Sequence, residues 1–147
     1  MDLVGRKLPA HMGRMLRRFF HPVLEFIEAH QADEQMQEFV LPLHKAFGRL
    51  QKATGWIAQQ GMADPEEAAA AATDYLRLFG LVAMGYMWAR MAKISLTQEA
   101  SEESEFYSAK VTTARFYMQK LLSQSSSLFA NIMSGKQTLM ELDAANF

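Results

Sequence analysis

Apolar residues recur along this chain at intervals of three and four, in four long stretches, with no run of strict alternation. Such spacing lines one face of an α-helix, whereas alternation would line one face of a strand. The first stripe is Met12, Leu16, Phe19, Val23, Phe26 and His30, predicting a helix from about Ala10 to Gln31. Pro22 falls inside it and is expected to kink the helix or split it after Phe20, because proline removes a backbone donor. The second stripe is Met36, Val40, Leu43, Phe47, Leu50, Thr54 and Ile57, a helix from about Glu34 to Gln60 with a bend near Pro42 and Gly61 as its C-terminal cap. The third helix opens at Asp64-Pro65-Glu66-Glu67. There Asp serves as N-cap, Pro stands at the first helical position and carboxylates occupy the positive first turn. It runs through Ala68–Ala72 to about Leu96, followed by a polar, acidic loop, TQEASEES, over Thr97–Ser104. The fourth starts near Glu102 or Glu105 and reaches Ser134, with Gly135 as its cap. Its stripe is Tyr107, Val111, Ala114, Met118, Leu121, Ser125, Leu128 and Ile132. A last turn or two covers Gln137 to Leu142.

The third helix carries the segment that organises the rest, Asp74–Ala92. From Leu78 to Ala89 it has twelve residues without a charge, and helical spacing puts apolar side chains on every face, so it needs partners on more than one side. That run, bracketed by Arg77 and Arg90, is too short for the ~20 residues a bilayer crossing takes. Gly80, Ala83 and Gly85 form a small face that allows close approach of another helix. These elements predict an all-α fold: an up-down-up-down four-helix bundle with a short N-terminal arm and a short C-terminal helix. Residues 1–9 read as the arm, a remnant of a preceding domain that ends at Pro9, and residues 10–147 as the bundle domain.

Composition narrows the function. The 147 residues are 50% apolar with a net charge of −1, which suits one globular domain and excludes a generally basic nucleic-acid binder. No cysteine is present, so disulfides, thiolate zinc sites and cysteine nucleophiles are excluded together. Charges at Asp2, Arg6, Lys7, Arg14, Arg17 and Arg18 give no apolar leader, and a cytoplasmic protein is expected.

A bundle invites a di-iron centre, but Glu-x-x-His is missing. His21, Glu25 and Glu28 share one helix face without a second ligand set, and a surface His/Glu pairing is the expected role. His11 and His44 have no partners at ligand spacing and read as solvated or capping residues. Arg6, Lys7, His11, Arg14, Arg17 and Arg18 make the first twenty residues basic. That face could meet an anionic membrane or a phosphate, but the expected reading is a solvated face or pairing with Glu25, Glu28, Asp33 and Glu34 or a neighbouring domain. Lys110 and Arg115, beside the fourth stripe, could hold an anion; ion pairing with Asp74 or the Glu102–Glu105 group is expected instead. No phosphate loop, Ser/His/Asp set or dinucleotide fingerprint occurs.

DLVGRKLP (Asp2–Pro9), ATGWI (Ala53–Ile57), DYLRLFGLVAMGYMWARMA (Asp74–Ala92), FYSAKVTTARFYMQKLL (Phe106–Leu122) and MSGKQTLMEL (Met133–Leu142) together resemble the C-terminal part of bacterial acyl-CoA dehydrogenases. YLRLFG at Tyr75–Gly80 and ARFY at Ala114–Tyr117 are the most specific pieces. The subgroup is the longer, methylmercaptopropionyl-CoA dehydrogenase-like type, with an extra helical domain after the usual core. The resemblance implies an FAD-dependent parent enzyme that removes an α-proton and a β-hydride from an acyl-CoA thioester. Its catalytic glutamate would lie on a Tyr-Glu-Gly-Thr turn just before DLVGRK, upstream of this chain. The chain is therefore expected to be an inactive fragment with an introduced Met1, and no catalytic, cofactor-binding or metal-binding residue is assigned to it. Ser123 stands where the family often has Pro after the Leu-Leu pair. FAD belongs to the parent, and none is expected on the fragment.

The expected partners are the catalytic core of the same enzyme and further copies in a homo-oligomer, with a structural or assembly role. Phe20, Trp56, Met84, Met87, Trp88, Met91, Phe116 and Phe129 lie off the main stripes and supply apolar surface for such contacts. A free-standing helical module with a ligand groove beside Gly80 and Gly85 is the alternative.

Overall fold

The chain is described here from a computed structural model over residues 2–8, 13–98, 102–142 and 145. Among these residues six α-helices and no strand are found: α1 Arg14–His30, α2 Gln37–Ala63, α3 Pro65–Leu96, α4 Ser104–Phe116, α5 Ser125–Met133 and α6 Gln137–Met140. Met12 and His11 lie outside the described residues.

Side-chain partners fix the helix directions. Leu43 meets Gly85, Thr54 meets Tyr75 and Gly61 meets Ala68, so α2 and α3 run antiparallel. Trp88 lies by Lys110 while Leu81 bonds Tyr117 and Glu67 reaches Lys136, so α3 and the fourth strip of helix are antiparallel too. Phe19 stacks on Phe79 and Phe26 on Tyr86, which makes α1 parallel to α3. The up-down-up-down order expected from the stripes follows. At its centre lie Tyr75, Leu78, Val82, Ala89 and Ala92 of α3, buried against Phe39, Leu43, Phe47 and Leu50 of α2.

Each helix boundary has a local cause. α3 starts as expected: the Asp64 carboxylate accepts a hydrogen bond of 3.0 Å from the Glu66 N–H, and Pro65 stands at the first position. Of the two outcomes expected at Pro22, a kink or a split after Phe20, the split does not occur: α1 runs on through it. Pro22 is exposed, so water can take the Arg18 carbonyl that its missing N–H leaves free. Ile27, absent from the first stripe, is buried there with Val23.

Gly61 does not cap α2; the helix continues to Ala63 and turns at Asp64. Gly61 serves a close approach instead, since a Cβ there would sit 2.9 Å from that of Ala68 at the corner with α3.

The fourth stripe is not one regular helix. After α4 the chain widens into a π-helical turn, Tyr117–Leu121, then tightens into a 3₁₀ turn, Leu122–Gln124, before α5. The wide turn lets Tyr117 and Met118 both face inward and hands the next buried position to Leu122. The hydroxyls of Ser123, Ser126 and Ser127 donate to the carbonyls of Lys120, Ser123 and Gln124, competing with the helical ladder where it breaks. Gly135 then adopts φ 74°, the left-handed turn expected of a helix cap.

Candidate interaction surface

α3 has two sides of different character. Tyr75, Leu78, Val82, Gly85, Ala89 and Ala92 are buried. On the other side Leu76 (58% exposed), Met84 (49%), Met87 (42%) and Ile94 (57%) face out, with Met91 half-buried among them. Gly80 interrupts this row, and nothing lies within 4 Å of where its Cβ would be. The outer row repeats at three and four residues over nearly five turns, the spacing of a helix face that meets another surface.

Two edges frame the row. Arg90 stands over the Tyr86 ring at 5.5 Å on one edge. On the other, the Lys110 ammonium lies 6.0 Å from the Trp88 ring centre and 5.1 Å from that of Phe106, joining the apolar edge of α4 to α3 through cation–π contacts. Lys110 thus rests on aromatic faces and not on Asp74, whose neighbour is Arg77 at 3.9 Å. Arg115 forms a two-pronged pair with Glu38 of α2 at 2.8–2.9 Å, not with the Glu102–Glu105 group.

Of the groove expected beside Gly80 and Gly85, the Gly85 side is filled and the Gly80 side is open. Leu122 and Leu43 methyls stand 3.3–3.5 Å from the Gly85 Cβ position, so side chains rather than another backbone occupy this small face. An apolar cavity of about 480 Å³ lies elsewhere, between the N-terminal arm (Val4, Leu8), Leu16, Thr54 and Ile57 of α2, and Ala68.

Titratable groups are tied into structure. The Tyr75 hydroxyl donates to Thr54 Oγ1 at 2.7 Å, which itself donates to the Leu50 carbonyl, and burial pushes the Tyr75 pKa up to about 12. Tyr117 donates to the Leu81 carbonyl at 2.9 Å and burial raises it likewise to about 12. Neither can serve as a base near neutral pH. His30, its ring 4.7 Å from Phe26, is held below its usual pKa by burial first and by Lys93 second, with Asp33 opposing.

His21 pairs with Glu25 at 3.2 Å as expected, Glu28 stays apart, and His44 is exposed. Among the described residues no three His, Asp or Glu side chains gather to hold a metal. No helix among the described residues is long and apolar enough to cross a membrane. Past the left-handed turn at Gly135, the Lys136 N–H goes to the Glu67 carboxylate at 3.0 Å, and the Lys136 ammonium to Asp64 and Glu66.

The outer row was half visible in the sequence. Met84, Met87 and Met91 stand out as surplus apolar positions, while Leu76 and Ile94 lie outside the uncharged run Leu78–Ala89 and belong to none of the four stripes. The missed signal is their register with Gly80. Of the other surplus residues, Phe116 is exposed, whereas Phe20, Trp56, Trp88 and Phe129 pack partly against the core.

No curated protein matches the chain. A match to the family described as acetyl-CoA dehydrogenase C-terminal like covers residues 19–143, most of the bundle, and the chain belongs to that family.

Proposed function

We propose that the chain is the C-terminal docking domain of an FAD-dependent acyl-CoA dehydrogenase and that the outer row of α3 seats it on the catalytic core of that enzyme. The single observation that carries this is the exposed apolar row Leu76–Met84–Met87–Ile94 on the side of α3 turned away from the core. Exposed apolar patches of this kind on soluble domains mark contact sites. The family match supports a catalytic core as the neighbour, which in the parent would carry the flavin and the catalytic base. The parent would carry out α,β-dehydrogenation of an acyl-CoA in the cytoplasm, as a homo-oligomer of the methylmercaptopropionyl-CoA dehydrogenase type. This chain's part is structural, and residues 1–9 would be the link to the core.

Methionine oxidation provides the test, because thioether oxidation follows exposure. In the isolated chain Met84 and Met87 should react with peroxide at rates approaching that of Met62, which is 84% exposed. In the full-length enzyme they should be protected at least tenfold while Met62 still reacts. Equal reaction of all three in the full-length enzyme would remove the docking role. The isolated chain should also be colourless and fail to reduce a dye with any acyl-CoA.

A further inference from the structure

α1 carries a charged face with a particular symmetry. Arg14, Arg17, Arg18, His21, Glu25 and Glu28 are all exposed and recur at three- and four-residue steps, opposite the buried Val23 and Ile27. The N-terminal half of this face is positive and the C-terminal half negative. Arg14 and Glu28 stand seven residues to either side of His21, and Arg17 and Glu25 four to either side.

Within one copy these charges cannot neutralise each other, since Arg17 and Glu25 are separated by ~12 Å along the axis at 1.5 Å per residue. Among the described residues no carboxylate pairs with Arg14, Arg17 or Arg18, no cation pairs with Glu28, and Glu25 has only His21 at 3.2 Å. Beside the arginines lies an open groove of about 640 Å³ floored by Phe20, Pro22 and Leu24.

We propose that this face of α1 is a two-fold contact with a second copy of the chain, the two α1 helices lying antiparallel across an axis near His21. In that arrangement Arg17 and Arg18 come opposite Glu25 of the other copy and Arg14 opposite Glu28, twice over by symmetry. An isologous contact demands such self-complementarity of a single patch. A uniformly anionic partner would meet Glu25 and Glu28 as like charges, which is why the second copy fits better than a lipid surface. The contact is small and charged, so it is weak and salt-dependent. It uses a different side of the molecule from the α3 row and does not depend on the docking role proposed above.

The experiment is sedimentation equilibrium on the chain carrying Met84→Glu and Met87→Glu, which takes apolar association through α3 out of the measurement. Self-association should weaken at least tenfold as salt rises from about 50 to about 500 mM, since the screening length shrinks roughly threefold. Arg14→Glu with Arg17→Glu should give a monomer, and so should Glu25→Arg with Glu28→Arg. Mixing those two variants should yield a heterodimer, and the fourfold exchange in one chain should restore self-association, each with an unchanged helical circular dichroism spectrum. A monomer at low salt before any α1 substitution would overturn the proposal. So would a fourfold exchange that stays monomeric. Loss of binding to phosphatidylglycerol vesicles on Arg14→Glu, with self-association unaltered, would reassign the face to a membrane.

Discussion

Gly61, Gly80 and Gly85 all lie inside helices, where glycine costs ~1 kcal/mol against alanine. Their surroundings set different signs for substitution. A methyl at Gly80 meets nothing within 4 Å, so Gly80→Ala should stabilise the chain by ~0.5–1 kcal/mol. At Gly61 the new carbon would lie 2.9 Å from the Ala68 Cβ at a corner that cannot slide freely, and alanine should destabilise. At Gly85 an alanine faces Leu122 and Leu43 methyls at 3.3–3.5 Å and should be near neutral, whereas Gly85→Leu overpacks the same contact and should cost ~1–3 kcal/mol or more. Urea melts of the four variants would show whether that order holds. His30 gives a pH dependence at the same scale. Burial lowers its pKa in the folded chain, so between that value and the ordinary one the unfolded chain binds the extra proton. Stability should accordingly fall as pH drops through ~6.5, the unfolded value, and the decline should flatten in His30→Gln.

The helices themselves were legible because their stripes are long. Seven second-stripe positions from Met36 to Ile57 predicted α2, and every one is buried or half-buried in the structure. Apart from Pro22, which water accommodates, the exceptions have a common origin: a tertiary contact outweighed a local rule. Gly61 has the chemistry of a cap but is needed for closeness to Ala68; the break at Tyr117–Gln124 follows from a hydroxyl reaching Leu81 and a leucine filling the space at Gly85. No spacing rule reports such partners. The same holds for the charges, whose partners Glu38 for Arg115 and Asp64 for Lys136 are far away in sequence. The Asp64 corner allows the two local roles to be separated. Asp64→Asn keeps an oxygen for the Glu66 N–H but loses the charge facing Lys136; Asp64→Ala loses both. Melting temperatures should fall from wild type to Asn to Ala, and salt should narrow only the first step. The carboxyl is held below its usual pKa by Lys136 first and by the Glu66 N–H second. Its contribution is present above the unfolded value of ~3.9 and should vanish as pH falls through the lower folded one.

For the whole molecule, the decisive contrast is between what holds the bundle together and what is left outside it. The buried side of α3 uses Tyr75, Leu78, Val82, Ala89 and Ala92 to bind α2 and the fourth strip, and truncating any large one opens a cavity. Met84 and Met87 contribute little to that, because nearly half of each is already in water. Met84→Glu with Met87→Glu should therefore leave folding stability within ~0.5 kcal/mol per site, the usual range for surface positions. Its effect should appear only when something docks on the row. A carboxylate buried without a partner is strongly disfavoured, so in the full-length enzyme the bundle should detach from the core and become an early target of limited proteolysis. On the function proposed above, flavin content and the dehydrogenation rate of the surviving core should persist. The complementary control is Leu78→Ala, which should lower the melting temperature of the isolated chain through a fully buried cavity without adding charge to the outer row. If the double glutamate variant resisted protease in the full-length enzyme as well as wild type does, the apolar row would be an accident of composition, and the bundle would have to be held to its core by its N-terminal arm alone.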